Sequence, residues 1–414
     1  MSKKILIHSL VFSPDGVSTA YLYNDIALKL RECGFVVSVL TTTPHYNVID
    51  SKLRKQHLTK KVFGLYYKSN FQGIKVKHVY QKKYKRTIYR LSGFVYWHLV
   101  SFFLALFEKK IEIILSPSPP LTIGFLNILI ARLKGSKVIY NVQEIYPDLL
   151  IEEGGLKSKI VISFLKWVEK FVYKHSDAVT TIDQVFYDTI APRFRDKSKL
   201  HIIPNFVDTN IYKPLSKNNL NLNPKLFPAT ESLKVMYAGN IGHSQDWESL
   251  IALADEVRND PIEFFVIGEG AMKVYLEKEK SIRNLKKLHL IPYQPRELMP
   301  SLLAYSDVQF IFMSPQTEGH GFPSKVYTIM ACAKPLLVCS GENTPIINFL
   351  NDKNCAYLIT EKDLRSKVRK MVDFLRNTSL SNLERLGRNG YLSVANNYSK
   401  EIVTSKYVEL INGL

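Results

Sequence analysis

Short apolar runs alternate along the chain with stretches whose apolar residues recur every three or four positions, a pattern that predicts repeated strands and helices. Ile5–Leu10 is an apolar run of the buried-strand kind, and it stops at the Ser13-Pro14-Asp15-Gly16 turn. Ala20, Tyr23, Ala27 and Leu30 follow at spacings of three, four and three, which marks one face of a helix. Gly34 ends that helix, and Phe35–Leu40 is the next strand. Runs at Ile113–Leu115, Val138–Tyr140, Ala178–Ile182 and Leu200–Ile203 continue this first series. A second series starts at Val235–Ala238 and passes through Phe264–Ile267, Leu288–Ile291, Val308–Phe312 and Pro335–Cys339. Strands alternating with helices imply parallel sheets joined by crossover helices. Between the series, Pro204–Pro214 and the polar, Asn-rich Lys217–Lys225 read as a linker. The expectation is an α/β chain of two doubly wound domains facing each other across a cleft, with ligands at the carboxyl ends of the strands.

Composition fits that division, since 414 residues with 46% hydrophobic and 22% charged positions supply two cores. The four cysteines (Cys33, Cys332, Cys339, Cys355) show neither C-x-x-C pairing nor zinc-ligand spacing, which points to a reducing cytosol and no structural metal. Charge changes the picture more. Fifty-six Lys and Arg against thirty-seven Asp and Glu give +19, which favours phosphate-bearing or anionic-membrane partners. Between Leu53 and Arg90 there are twelve Lys/Arg and no acid, interleaved with Tyr66, Tyr67, Phe71, Tyr80, Tyr84 and Tyr89. Leu91–Phe107 follows, almost wholly apolar but for residues such as His98. Its seventeen residues reach only the short limit of a bilayer span. A buried or interfacial helix beside a basic, aromatic surface is therefore expected over residues 53–107. The start of the chain lacks a small-residue cleavage site and runs into a turn, so it reads as a first strand and not a signal peptide.

Candidate chemistry collects where strands end. In Phe12–Thr19, Gly16 lets backbone approach a ligand at a helix N-terminus; a plain turn capped by Ser18 or Thr19 is the alternative. The Ser116-Pro-Ser-Pro-Pro120 stretch cannot continue a sheet and turns the chain out at its edge. Gln143 and Glu144, just past a strand, are candidates for sugar hydroxyls, with Glu144 also a candidate base or else a solvated loop acid. Tyr237–Gln245 repeats the glycine-loop logic: Gly239 and Gly242 free backbone for a phosphate, and Asn240, His243 and Gln245 add polar contacts. Gly268 and Gly270 mark a further strand-end turn. The densest constellation runs from Glu318 through Gly319, His320, Gly321, Phe322, Pro323 and Ser324 to Lys325. Here a loop opens a helix, main-chain amides face a diphosphate, and Lys325 supplies the counter-charge.

These landmarks, in this order, resemble a retaining, nucleotide-sugar-dependent family 4 glycosyltransferase of the GT-B fold. They are FSPDGVST, LTTTPHYN, SPSPPLT, VQEIYPD, IIPNFVDTNIYKP, YAGNIGHSQ, VIGEG and EGHGFPSKVY–MACAKP. The branch resembled is the bacterial one making O-antigen, capsule and colanic acid, and within it the L-fucosamine transferases. The resemblance implies two Rossmann-like domains, residues 1–208 for the acceptor and 209–395 for the nucleotide sugar, with a C-terminal helix, 396–414, packing back toward the first. It implies that Asn240, Gln245, Gly319 to Gly321 and Lys325 hold the diphosphate, that Gly16 approaches the donor, and that Glu318 lies close to the transferred sugar. Thr328, ten residues after Glu318, stands where the family's second glutamate grips the ribose eight residues on. Asn240 and Gln245 stand at the usual Arg and Lys, and Gln143 at a cleft histidine.

The expected function is transfer from a nucleotide-diphosphate sugar, a UDP-sugar, to a polyprenyl-diphosphate-linked saccharide, without metal or other cofactor, in surface-polysaccharide synthesis. The enzyme would sit in the cytoplasm, peripheral on the anionic inner face of the plasma membrane, with no nucleic-acid partner. Alternatives are a nucleotide-sugar epimerase of the same fold, a basic nucleic-acid-binding protein, and an inactive transferase kept as a scaffold.

Overall fold

The computed structural model describes residues 3–45, 53, 56–82, 86–152, 154–218, 220–319 and 322–414. Contacts divide the chain into two compact units, Met1–Asn205 with Glu401–Leu414, and Phe206–Lys400.

The strands of the first unit are β1 (Lys4–His8), β2 (Val36–Thr42), β3 (Thr59–Lys61), β4 (Tyr66–Phe71), β5 (Ile74–Val79), β6 (Ile113–Pro117), β7 (Lys137–Val142), β8 (Ala178–Thr181) and β9 (Leu200–Ile202). They form one sheet in the order β3-β4-β5-β2-β1-β6-β7-β8-β9. All neighbours are parallel except β3–β4 and β4–β5. The helices are α1 (Ser18–Glu32), α2 (Thr87–Leu106), α3 (Leu121–Lys134), α4 (Asp148–Glu152), α5 (Lys159–His175) and α6 (Gln184–Ile190).

The α1 face Ala20, Tyr23, Ala27 and Leu30 is buried, as its spacing requires. Its N-cap is Val17, without a side-chain bond, so neither Ser18 nor Thr19 caps it. The helix stops because Gly34, at φ +87°, takes the left-handed position while Gly34 N donates to Arg31 O and Phe35 N to Leu30 O. One expectation is corrected here. β6 continues through Ser116 and Pro117, paired with Tyr140 and Asn141, because a proline at the last strand position removes only one ladder donor. The basic stretch contains β3, β4 and β5, which extend the sheet at one edge.

In the second unit β10 (Leu233–Ala238), β11 (Ile262–Ile267), β12 (Leu288–Ile291), β13 (Val308–Phe312), β14 (Leu336–Cys339) and β15 (Ala356–Ile359) form a six-stranded sheet ordered β12-β11-β10-β13-β14-β15. All neighbouring strands in it run parallel. The helices are α7 (Trp247–Glu256), α8 (Lys273–Ile282), α9 (Met299–Tyr305), α10 (Lys325–Ala331), α11 (Pro345–Leu350), α12 (Leu364–Asn377) and α13 (Leu380–Asn397). Phe264, Phe310 and Phe312 fill one face of the sheet against Trp247, Leu250 and Met371. Ile311, Met330 and Val338 lead a second cluster on the other face.

The last helix, α14 (Lys400–Gly413), belongs almost wholly to the first unit. Its Val403, Tyr407 and Ile411 are buried, and Tyr407 OH accepts from Asn141 Nδ2 at 3.1 Å.

Candidate functional site

The second unit carries the denser site. Because β10 and β11 are parallel with Ala238 opposite Ile267, the loops that leave them emerge side by side. They are zipped together: Gly239 N donates to Ile267 O, Ile241 N to Glu269 O and Met272 N to Ile241 O, each at 2.9 Å. A Cβ on Gly268 would stand 1.9 Å from Gly239 O, and one on Gly270 2.2 Å from Ile241 O. These glycines are there because two backbones touch. This corrects the reading of Gly239 as an amide donor to phosphate, since its N–H is already committed to Ile267.

What remains at this edge is Lys325. Its Nζ lies 3.6 Å from the Tyr237 ring centroid and 3.3 Å from Ala238 O. A Cβ on Gly239 would come within 2.8 Å of that same nitrogen, so a side chain there would push the ammonium from its place. Tyr237 in turn donates its hydroxyl to Asn240 O at 2.6 Å, which fixes the loop and the ring together. Burial pulls the Lys325 ammonium down to about 7. Among the described residues no carboxylate pairs with it. A cation held by an aromatic face and a carbonyl, without a counter-ion, is a receptor for an anion.

The segment leading to Lys325 is built differently from its expectation. The Glu318 carboxylate accepts from Gly341 N at 2.6 Å and from Ser340 Oγ at 3.4 Å, so the β14–α11 turn orients it. Gly319 is exposed, and His320 and Gly321 lie outside the described residues. Phe322 packs on Tyr327 and Phe349 in an aromatic cluster, a structural placement for a residue expected at the donor. Pro323 O accepts from Val326 N, and Ser324 is the N-cap of α10 without a side-chain bond. With seven residues α10 contributes little dipole, so the anion field here comes from the Lys325 charge. Thr328 sits one turn on from Lys325, on the same helical face.

Gln245 and Asn240 do not converge on one contact set. Gln245 lines a cavity of about 410 Å3 with His243, Asp246, Gln316 and Lys367, and Lys325 is not among its lining residues. Asn240 is exposed, its Nδ2 lying 2.7 Å from where a Gly242 Cβ would stand. Asp246 pairs with Lys367 at 2.9 Å and caps α7 through Ser249 N, two ties that the sequence did not reveal.

In the first unit the β1–α1 loop is held at several points. Ser13 N donates to Asn24 Oδ1, Ser13 Oγ to Gln56 Oε1, and His45 N to Asp15 Oδ1. Gly16 is thereby presented, half-buried, at the carboxyl end of β1. Gln143 is not a free catalytic amide. Its Nε2 donates to Asn141 Oδ1 at 2.7 Å, and its Oε1 accepts from Asn205 Nδ2 at 3.0 Å. Asn141 also takes the Tyr23 hydroxyl at 2.5 Å and gives to Thr180 Oγ1 at 2.7 Å, forming a buried polar hub. Glu144 stands half-buried beside it, its carbonyl accepting from Ser118 Oγ.

Set against known proteins, residues 220–393 match the family described as glycosyl transferases group 1, and residues 19–205 match the glycosyl transferase 4-like domain. The chain is a glycosyltransferase. It carries a 4-like domain in its first unit and a group 1 domain in its second, and its fold is GT-B. The glycosyltransferase is 22% identical over 340 residues to the putative colanic acid biosynthesis glycosyl transferase WcaI of Escherichia coli (strain K12), covering 79% of this chain and 81% of that protein. Sucrose-phosphate synthase of Thermosynechococcus elongatus superposes with a TM-score of 0.73 at 15% identity, over 99% and 98% of the two chains. Anabaena Alr3699/HepE, solved in complex with UDP, superposes with a TM-score of 0.71 at 11% identity over 100% of both.

Proposed function

We propose that the enzyme moves a sugar, with retention of configuration, from a UDP-sugar to a saccharide carried on polyprenyl diphosphate, in the synthesis of a surface polysaccharide. The observation that carries this reading is the Lys325 ammonium, paired with no carboxylate among the described residues, beside Gly239 at the carboxyl edge of the second sheet. A diphosphate supplies the missing negative charge. The sugar C1–O bond to the β-phosphate breaks, the acceptor oxygen bonds to C1 on the same face, and the departing diphosphate takes the acceptor proton. Lys325 stabilises the charge that develops on the leaving phosphate. Glu318, held by Gly341, is then placed as a ligand for the sugar, and Thr328 as a ribose contact. Glu144 would meet the acceptor in the first unit. No resident metal is proposed, so turnover should survive EDTA.

The similarity to WcaI supports the polysaccharide assignment, and the HepE complex supports a uridine donor. We further place the enzyme at the inner face of the plasma membrane, where a polyprenyl carrier is anchored. The test is a thermal-shift panel of nucleotide sugars followed by product analysis. A UDP-sugar should raise the melting temperature, Lys325→Ala should shrink that rise at the same ligand concentration, and incubation with acceptor should release UDP. Stabilisation by no nucleotide sugar would defeat the reading, and an isomerised UDP-sugar in place of free UDP would replace it with an epimerase.

A further inference from the structure

Three helices lie side by side on one face of the first unit's sheet, with α3 flanked by α2 and α5. On α2, Ile88, Leu91, Val95, Leu99 and Phe103 recur every three or four residues and are all exposed, and the stripe ends at Phe107, 80% exposed. On α5, Ile160, Phe164 and Trp167 do the same beside the exposed Val161, with Ile160 at 83%. Trp167 stacks on Phe164 and leans on Phe125 of α3, so the aromatic surface is continuous between two helices. The 3-10 turn Val62–Gly64 adds Phe63, fully exposed in left-handed backbone, and Tyr96 of α2 ties that turn down through a bond to Leu65 O at 3.2 Å.

Apolar faces of this size require a cover. Charge identifies it. The three helices carry Arg90, Arg132, Lys134, Lys159, Lys166, Lys170 and Lys174 against one acid, Glu169, which is buried and paired with Arg193. Two copies meeting face to face would oppose these cations. An anionic surface neutralises them. No helix among the described residues is long and apolar enough to cross a membrane, so such a face lies in an interface rather than through one.

We propose that α2 and α5 form a single lipid-docking face, in which Phe164 and Trp167 enter the headgroup layer of an anionic bilayer alongside the α2 stripe and Phe63. The α5 contribution is separate from the basic segment and adds a second line of anchors, which fixes how the first unit is oriented on the lipid. This deepens the membrane placement proposed above and does not need the transferase chemistry.

The chain has three tryptophans, of which Trp97 and Trp247 are buried and Trp167 is 52% exposed, so a lipid-induced change in emission reports α5. With vesicles of phosphatidylglycerol and phosphatidylcholine, Trp167 emission should shift to the blue, lose acrylamide quenching and be quenched by lipid with brominated chains. Lys166→Gln with Lys170→Gln should weaken partitioning about thirty-fold. Phe164→Ser with Trp167→Ser should reduce vesicle binding while UDP binding, measured in the same preparation, is unchanged. Trp167 remaining fully quenchable on vesicle-bound protein would remove α5 from the face. A lipid-free dimer by light scattering, with Trp167 already shielded, would make the cover a second copy. Wild-type protein that binds UDP but not the vesicles would overturn this proposal alone, whereas wild-type protein that binds the vesicles but not UDP would touch only the transferase reading.

Discussion

The half-buried Lys325 ammonium sits against Tyr237 and Ala238 O with no carboxylate among the described residues, and desolvation pulls it down to about 7. A bound diphosphate would favour the charged form and draw its proton affinity upward. Donor binding should therefore take up a proton, and affinity for UDP should fall as pH rises from 7 toward 9. Lys325→Arg, charged throughout, should flatten that slope, and Lys325→Ala should weaken binding about ten- to a hundred-fold, the range for a lost charge-assisted hydrogen bond. Calorimetric titration across the pH range decides it; a wild-type Kd that is level from pH 6.5 to 9 would take Lys325 off the phosphate. This residue was legible in the sequence as a cation after a glycine loop. The ring that carries it was not, since Tyr237 looks like any strand aromatic. The commitment of the Gly239 amide was equally hidden, because its acceptor, Ile267, ends the next strand rather than belonging to the loop.

Buried strands and the α1 face could be read from the chain because continuous or periodic apolar burial leaves a mark in one dimension. The run Ile74-Lys75-Val76-Lys77 has the period-two signature of a half-exposed strand, but the density of Lys masked it. Helix α5 escaped for another reason: Ile160, Phe164 and Trp167 share its exposed face with Lys166 and Lys170, so apolar residues there do not mark the inside. Helix–helix packing is less legible still. Gly387 of α13 lies so close to the turn after α10 that a Cβ would stand 2.1 Å from Ala333 O. Gly387→Ala must push α13 away from α10, at a cost of about 1–3 kcal/mol. The expected drop is several °C in the melting of the second unit. Because α10 begins with Lys325, UDP affinity should fall as well. Gly390→Ala meets only side chains, with Cys355 Cβ and Met330 Cγ at 3.3 Å, and should cost less. Comparing the two variants by calorimetry and UDP titration checks the order.

Two alternating strand–helix series were enough to expect two sheets, since each β–α–β step buries its own strand. Which sheet the last helix completes is a long-range matter, settled by Tyr407 reaching the Asn141 hub and by Lys3 Nζ donating to Ile411 O. Removing residues 401–414 should uncover Asn141, Thr180 and the apolar seats of Val403 and Ile411. The first unit should then melt at lower temperature while the second unit's transition, and its rise with UDP, stay in place. At a hundred times Kd, UDP should stabilise the second unit by about 2.7 kcal/mol. Scanning calorimetry with and without nucleotide separates the two transitions, and a common shift of both on truncation would contradict this assignment.

That arrangement sets an order of events during translation. All nine strands of the first sheet leave the ribosome before the helix that seals them, and the whole stretch from Phe206 to Lys400 is synthesised in between. At roughly 5–20 residues per second, the nascent amino-terminal half waits on the order of ten to forty seconds with its polar hub open to water. The second unit, contiguous in the chain, has all its parts first, so the half made later is the half that can finish earlier.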